Sequence, residues 1–127
     1  MKGQVDREKI LIVDDEPSVR SLLHGMLDKD YCVIEASDGE AAIDMARMQK
    51  PDLILMDIMM PKIDGYMACY AIKSEPALKE IPVVMLTGID HELNRKLGQQ
   101  FGADGYLTKP FRLQELMEVI VQLLPTH

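Results

Sequence analysis

The chain has 127 residues, of which 47% are hydrophobic and 28% are charged, and its formal net charge is −7. This length and composition are typical of a single globular domain with one core, and the negative charge argues against a nucleic-acid-binding surface. No apolar run approaches the ~20 residues that cross a bilayer, and the N-terminus lacks the apolar segment of a secretory signal.

The first predicted strand, β1 (10–13), is the apolar run ILIV, and three acidic residues follow it at once: Asp14, Asp15 and Glu16. Carboxylates clustered at the edge of a core repel one another and resist desolvation, so this edge predicts a positively charged ligand. Without that ligand, repulsion is expected to raise the pKa of one carboxyl group. The first predicted helix, α1 (17–29), begins at Pro17 and carries an apolar stripe.

The rest of the chain alternates short apolar runs with segments of helical period. The strands are β2 (32–36), β3 (53–56), β4 (83–86) and β5 (105–108); the helices are α2 (40–48), α3 (65–74), α4 (92–101) and α5 (112–124). Ser37 and Glu40 have capping-box spacing before α2, Gly65 predicts the turn into α3, and Gly102 predicts a left-handed residue after α4.

Five successive βα units predict an α/β fold, because parallel strands need crossover helices that cover both faces of the sheet. We predict one domain over residues 9–124, between a polar N-terminal arm (1–8) and a short tail (125–127). Cys32 and Cys69 lie in apolar segments without CxxC spacing and are interpreted as reduced thiols of a cytoplasmic protein. The three histidines are too scattered to predict a zinc site.

Chemically compatible side chains follow four of the five predicted strands. In open α/β sheets, ligands bind beyond the carboxyl ends of the strands. Asp14 and Asp15 follow β1, Asp57 follows β3, Thr87 follows β4 and Lys109 follows β5. Carboxylates without Cys or His favour Mg²⁺, and the lysine and threonine add an ammonium group and a hydroxyl. Together they predict a phosphoryl-transfer site with a carboxylate nucleophile.

Residues 8–124 resemble the receiver domain of two-component response regulators. The motifs IVDDEP, LILMDIMMPKIDG, VVMLTG and GADGYLTKPF carry this resemblance, in that order. It implies a doubly wound, flavodoxin-like (βα)5 fold with strand order 2-1-3-4-5. It also implies that Asp57 accepts a phosphoryl group from the phosphohistidine of a histidine kinase.

The resemblance further implies the role of each residue around Asp57. Asp15 and Asp57 would bind Mg²⁺ (or Mn²⁺) directly and Asp14 mainly through water, with the Met59 carbonyl as a further ligand. Thr87 and Lys109 would hold phosphoryl oxygens, and the Lys109–Pro110 peptide bond would be cis. Tyr106 would be a switch residue that turns inward when Thr87 moves toward the phosphate.

The implied partners are a sensor histidine kinase or phosphotransfer protein, and an output domain or downstream protein that contacts the α4-β5-α5 surface. The mostly polar α4 contains Gly98 and is expected to move between states. A phosphorylation-dependent homodimer is compatible with this; direct contact with nucleic acid or membrane is not expected. The chain ends just after α5, which leaves open a complete single-domain regulator or relay and a receiver cut from a longer protein.

Two apolar residues flank the predicted site, Met59 and Ile89, and neither can orient an attacking water, so we expect slow self-dephosphorylation. Met59 also disfavours a haloacid-dehalogenase-type phosphatase, which needs an aspartate there as general acid. The acidic loop would repel a flavin phosphate, and no GxxxxGK[ST] motif supports a nucleoside triphosphatase. The main alternative is an interaction module of the same fold that signals without phosphorylation.

Overall fold

The structure is a computed structural model that describes residues 7–88, 96 and 99–124. Its strands are β1 Lys9–Val13, β2 Cys32–Ala36, β3 Leu53–Asp57, β4 Val83–Thr87 and β5 Gly105–Thr108, and its helices are α1 Pro17–Leu27, α2 Gly39–Gln49, α3 Gly65–Ser74 and α5 Leu113–Leu123. Most of the predicted helix α4 (92–101) lies outside the described residues, and so does Ile89.

All five strands form one parallel sheet in the order β2-β1-β3-β4-β5. This confirms the predicted fold class and strand order. Val13 pairs with Met56 and Thr87 pairs with Thr108, so the carboxyl ends of β1, β3, β4 and β5 lie side by side at one edge of the sheet. The residues that follow these strands therefore emerge next to one another.

The three central strands are buried on both faces. Alternate side chains of a strand point to opposite faces, and the core accordingly divides into two clusters. Leu11, Ile54 and Met85 belong to the cluster that includes residues of α2 and α3, whereas Leu55 and Leu86 belong to the one that includes residues of α1 and α5. Two covered faces explain why these strands are continuously apolar rather than alternating.

The start of α2 corrects one prediction. Its N-cap is Asp38, whose carboxylate accepts a hydrogen bond from the Ala41 backbone N–H at 2.8 Å, and α2 therefore begins at Gly39, one residue earlier than predicted. The predicted Ser37–Glu40 capping box was wrong. The residue after Ser37 is Asp38, and its carboxylate accepts a hydrogen bond from a backbone N–H of the first turn that has no partner within the helix. Gly102 has the predicted left-handed conformation, with φ of +94°.

Gly65 does more than turn the chain into α3. A Cβ atom there would overlap the carbonyl oxygen of Asp57 and lie 2.8 Å from the Cα atom of Ile58. The missing side chain therefore lets α3 approach the end of β3 closely.

Two further features bear on the sequence-based expectations. Cys69 is buried and Cys32 is half-buried, and both are free thiols. Within the described ranges, no helix has the length and apolar character needed to cross a membrane.

Candidate functional site

Three carboxylates meet at the carboxyl edge of the sheet. Asp14, Asp15 and Asp57 each offer an oxygen, and these oxygens all lie within 4.8 Å of one another. Asp14 is fully buried and Asp57 is 6% exposed, whereas Asp15 faces solvent. The structure thus brings together acidic residues that are more than 40 positions apart in the chain.

Lys109, which follows the edge strand β5, also reaches this cluster. Its Nζ atom lies 3.3 Å from Oδ2 of Asp14 and 3.4 Å from Oδ1 of Asp57. The Lys109 backbone N–H donates to the Thr87 carbonyl at 2.6 Å, and the Lys109–Pro110 peptide bond is cis. The ammonium group therefore bridges two of the three carboxylates, while its main chain is bonded to the end of β4.

The electrostatics of the site match its geometry. Burial raises the pKa of Asp57, and repulsion from Asp14 raises it further, while the Lys109 charge and the Met59 backbone N–H oppose the rise. The expectation that one carboxyl pKa is raised is thus confirmed, although burial is a larger cause than repulsion. Burial lowers the pKa of Lys109, but Asp57 and Asp14 outweigh this and the net shift is upward. The lysine therefore stays charged at neutral pH.

A half-buried arginine supports the acidic loop from the side of α1. Arg20 of α1 donates from Nη1 to the Asp14 carbonyl oxygen at 2.6 Å and from Nε to the Glu35 carboxylate at 3.2 Å. Glu35 also contacts Nδ1 of His24 at 2.7 Å. Arg20 is not among the site residues predicted from the sequence. The pattern that could have indicated it is a basic residue one turn into the helix that follows the acidic residues.

An open cavity of about 840 Å³ lies beside the site. It is lined by Asp15, Ile58, Met59, Met60, Pro61, Asp64, Tyr66, Thr87 and Gly88. Met59 is 78% exposed and Thr87 is 5% exposed. The cavity adjoins the carboxylate cluster because Asp15 belongs to both, so a ligand held by the cluster has room beside it.

Tyr106, predicted as a switch residue, is half-buried on β5. Its hydroxyl oxygen lies 2.9 Å from the hydroxyl oxygen of Tyr66, the second residue of α3. Tyr66 was not predicted from the sequence either, because nothing local in the sequence links it to Tyr106, forty positions away.

The donor set of the site fits a hard divalent cation. It consists of oxygens from three carboxylates, and neither Cys nor His contributes to the group. Mg²⁺ is commonly bound through one or two carboxylates, with water and phosphate oxygens completing its coordination. The adjoining ammonium group and hydroxyl suit a phosphoryl group next to such an ion.

Comparisons with known proteins place this arrangement in context. A family model described as "Response regulator receiver domain" matches residues 10–121. Protein PilG of Pseudomonas aeruginosa is 39% identical over 127 residues, which cover 99% of this chain and 94% of that protein. The alkaline phosphatase synthesis transcriptional regulatory protein PhoP of Bacillus subtilis is 46% identical over 110 residues, which cover 86% of this chain and 45% of PhoP.

Solved structures match over nearly the whole chain. The chemotaxis protein CheY4 of Vibrio cholerae superposes with a TM-score of 0.89 at 32% identity, covering 93% of this chain and 99% of that one. The receiver domain of sensor histidine kinase PA1611 from Pseudomonas aeruginosa superposes with a TM-score of 0.85 at 32% identity, covering 92% and 97%. Its structure has a magnesium ion coordinated in the active-site cleft.

The matched proteins differ in length. The chain spans 42–50% of several curated relatives, which are named as transcriptional regulators, but 94% of PilG.

Proposed function

The chain belongs to the response regulator receiver domain family, and from this premise we propose that it is a phosphoacceptor switch of a two-component phosphorelay. An oxygen of Asp57 attacks the phosphorus of a kinase phosphohistidine, the phosphorus–nitrogen bond breaks, and an aspartyl phosphate forms. One observation carries this proposal: Asp57 lies at the end of β3 with two other carboxylates and an ammonium group around it.

The proposed cofactor is Mg²⁺, with Mn²⁺ as a substitute. Asp15 and Asp57 would hold it directly, Asp14 mainly through water, and the Met59 carbonyl would be a further ligand. The bound ion neutralises charge that develops on the transferred phosphoryl group. The spacing of the three carboxylate oxygens supports this, and so does the magnesium ion in the cleft of the PA1611 receiver.

Thr87 and Lys109 are proposed to hold the remaining phosphoryl oxygens. Lys109 has two anionic neighbours before phosphorylation, so its ammonium group can transfer from one carboxylate to a phosphoryl oxygen while keeping the other contact. Movement of Thr87 toward the phosphoryl group would favour the inward orientation of Tyr106 and alter the α4-β5-α5 surface. We propose that this surface contacts a downstream protein or an output domain, and that phosphorylation can favour a homodimer.

Slow self-dephosphorylation is proposed from the side chain at position 59. Met59 has a thioether that is a poor hydrogen-bond acceptor, and it lines the open cavity beside the site. No strong polar group at that position can orient an attacking water molecule. The domain would therefore catalyse its own phosphorylation and only a slow loss of the phosphoryl group.

The second candidate is an interaction module that signals without phosphate. Such a module would not need the buried Asp14 beside Asp57, an arrangement that is costly unless a cation offsets the repulsion. Incubation with acetyl phosphate and Mg²⁺, followed by intact-mass spectrometry, distinguishes the two candidates. The switch predicts one adduct of about 80 Da.

The matched controls are Asp57→Ala, which removes the acceptor, and Asp44→Ala, which removes an exposed carboxylate on α2. The adduct should be absent from the first and present in the second. An unmodified wild-type chain, or an adduct that persists in Asp57→Ala, would leave the interaction module as the better reading.

A further inference from the structure

The hydrogen bond between Tyr66 and Tyr106 connects α3 to the edge strand β5. The two hydroxyl oxygens are 2.9 Å apart. The Tyr66 ring packs against Phe101 with 5.7 Å between ring centroids, and the residue lines the cavity beside the phosphorylation site. Tyr106 is half-buried and packs against the core cluster that includes residues of α2 and α3. We call this orientation, in which its hydroxyl is bonded to a residue that lines the cavity, the inward orientation.

Tyr66 is itself fixed relative to Asp57. The neighbouring Gly65 donates its backbone N–H to the Ile58 carbonyl at 2.9 Å, and its missing Cβ leaves α3 pressed against the Asp57 carbonyl. The N-cap carboxylate of Asp64 accepts from the Met67 backbone N–H at 3.0 Å. These contacts hold the first turn of α3, so the Tyr66 hydroxyl has a defined position with respect to the phosphoacceptor.

We propose that Tyr66 is a positioning residue that holds Tyr106 in the inward orientation and so couples the switch to phosphorylation. This rests on the proposed function, in which inward Tyr106 accompanies the phosphorylated state. The Tyr66 hydroxyl stabilises that orientation before any phosphoryl group arrives, which lowers the conformational cost of phosphorylation. In this role Tyr66 acts through Tyr106, and it is not one of the residues proposed to bind the metal ion or the phosphoryl group.

The expected effect follows from the worth of one neutral hydrogen bond. If the bond favours the inward orientation, its removal weakens binding of a phosphoryl mimic by about 2- to 13-fold. The coupling is reciprocal, because a ligand that prefers one orientation must also stabilise it. Beryllofluoride with Mg²⁺ serves as the mimic, and saturation is followed through backbone amide NMR signals of the intact chain.

Four variants make the test specific. Tyr66→Phe removes one hydroxyl and keeps the ring on Phe101, whereas Tyr70→Phe is the matched control, since its exposed ring also packs on Phe101, with 6.1 Å between centroids. Tyr106→Phe and the double variant complete a double-mutant cycle. We expect weaker mimic binding in Tyr66→Phe, wild-type binding in Tyr70→Phe, and a double variant no weaker than Tyr106→Phe alone.

A second readout reports the orientation directly. The chain contains four tyrosines, and in protein labelled with 3-fluorotyrosine each gives one fluorine signal. Without the mimic, the Tyr106 signal should shift in Tyr66→Phe and not in Tyr70→Phe. The spectra are recorded at a temperature at which thermal melts show every variant to be folded. A loss of stability alone would therefore not produce this pattern.

The outcomes separate this inference from the proposed function. If beryllofluoride saturates the wild type and not Asp57→Ala, the proposed function stands whatever Tyr66 does. Unchanged or tighter binding in Tyr66→Phe, or additive effects in the cycle, would then overturn the positioning role. Failure of the wild type to bind the mimic would instead count against the phosphoacceptor function itself.

Discussion

Two helical glycines provide a matched pair for testing how tightly the proposed phosphorylation site is packed. Gly65 begins α3 and is buried, and Gly25 lies within α1 and is exposed. An added Cβ at Gly25 meets nothing within 4 Å, whereas at Gly65 it would overlap the Asp57 carbonyl oxygen and approach the Ile58 Cα atom to 2.8 Å. The same Gly→Ala substitution should therefore have opposite effects at the two positions.

The magnitudes follow from helix propensity and from overpacking. Gly25→Ala should stabilise the domain by about 0.5–1 kcal/mol, because alanine loses less backbone entropy than glycine on folding. Gly65→Ala should gain part of the same entropic stabilisation. However, its Cβ atom clashes with main-chain atoms, and a clash that cannot be relieved by a side-chain rotation costs about 1–3 kcal/mol. We expect a net destabilisation of about 1–2 kcal/mol, which lowers Tm by roughly 3–10 °C.

Urea denaturation and thermal melts of both variants measure these differences. The clash lies at the main chain of Asp57, the proposed phosphoacceptor, so Gly65→Ala should also slow phosphorylation by acetyl phosphate, and Gly25→Ala should not. If Gly65→Ala were as stable as Gly25→Ala and were phosphorylated at the wild-type rate, the close approach of α3 to β3 would have no energetic consequence and this reasoning would fail.

Three further predictions concern the site itself. Asp57→Asn should raise the free energy of unfolding at pH 7 in EDTA. The gain should fade as the pH drops from the raised folded-state pKa of Asp57 toward 3.8, the ordinary carboxyl value, as measured by urea denaturation. Met59→Asn should shorten the lifetime of the aspartyl phosphate severalfold, whereas the control Met48→Asn, at a similarly exposed position, should leave it unchanged. The lifetime in each variant is measured from the loss of the mass adduct over time. Arg20→Met should weaken Mg²⁺ binding by roughly tenfold, because losing a contact that supports metal ligands typically has an effect of this size. The control Arg47→Met removes an exposed ion pair and should leave Mg²⁺ binding unchanged.

The sign of the pH prediction comes from proton linkage. The pKa of Asp57 is raised in the folded state, so the folded chain binds more protons than the unfolded chain between the two pKa values. The free energy of unfolding therefore falls as the pH rises through this window. In Asp57→Asn the side chain does not titrate, so this fall does not occur. A variant with equal gain at acid and neutral pH would contradict the raised pKa. Likewise, a wild-type aspartyl phosphate that survives only seconds would contradict slow dephosphorylation.

Most secondary structure was predictable because its signals are local. Apolar runs bounded by turn residues located all five strands to within one residue at either end. The third helix was predicted without error, and the fifth differs by one residue at each end. The error at the start of α2 arose where Ser37 and Asp38 both offered a capping oxygen, and only backbone geometry selects between them.

The candidate site was predictable in its residues but not in its contacts. Asp14, Asp57 and Lys109 could be singled out because each directly follows a predicted strand, where ligands bind in open α/β sheets. That β1 lies next to β3 was supplied by resemblance, since strand order depends on how crossover helices pack and leaves no local trace. The contact between Arg20 and the acidic loop became visible only in the folded chain.

The sequence by itself determined an α/β protein whose acidic and basic side chains sit at strand ends, because hydrophobic period and turn chemistry are encoded within a few neighbouring residues. The tertiary structure alone decided that α3 presses against the Asp57 main chain and that Tyr66 bonds to Tyr106. Both depend on contacts between residues far apart in the chain, which form only when both faces of the sheet are packed.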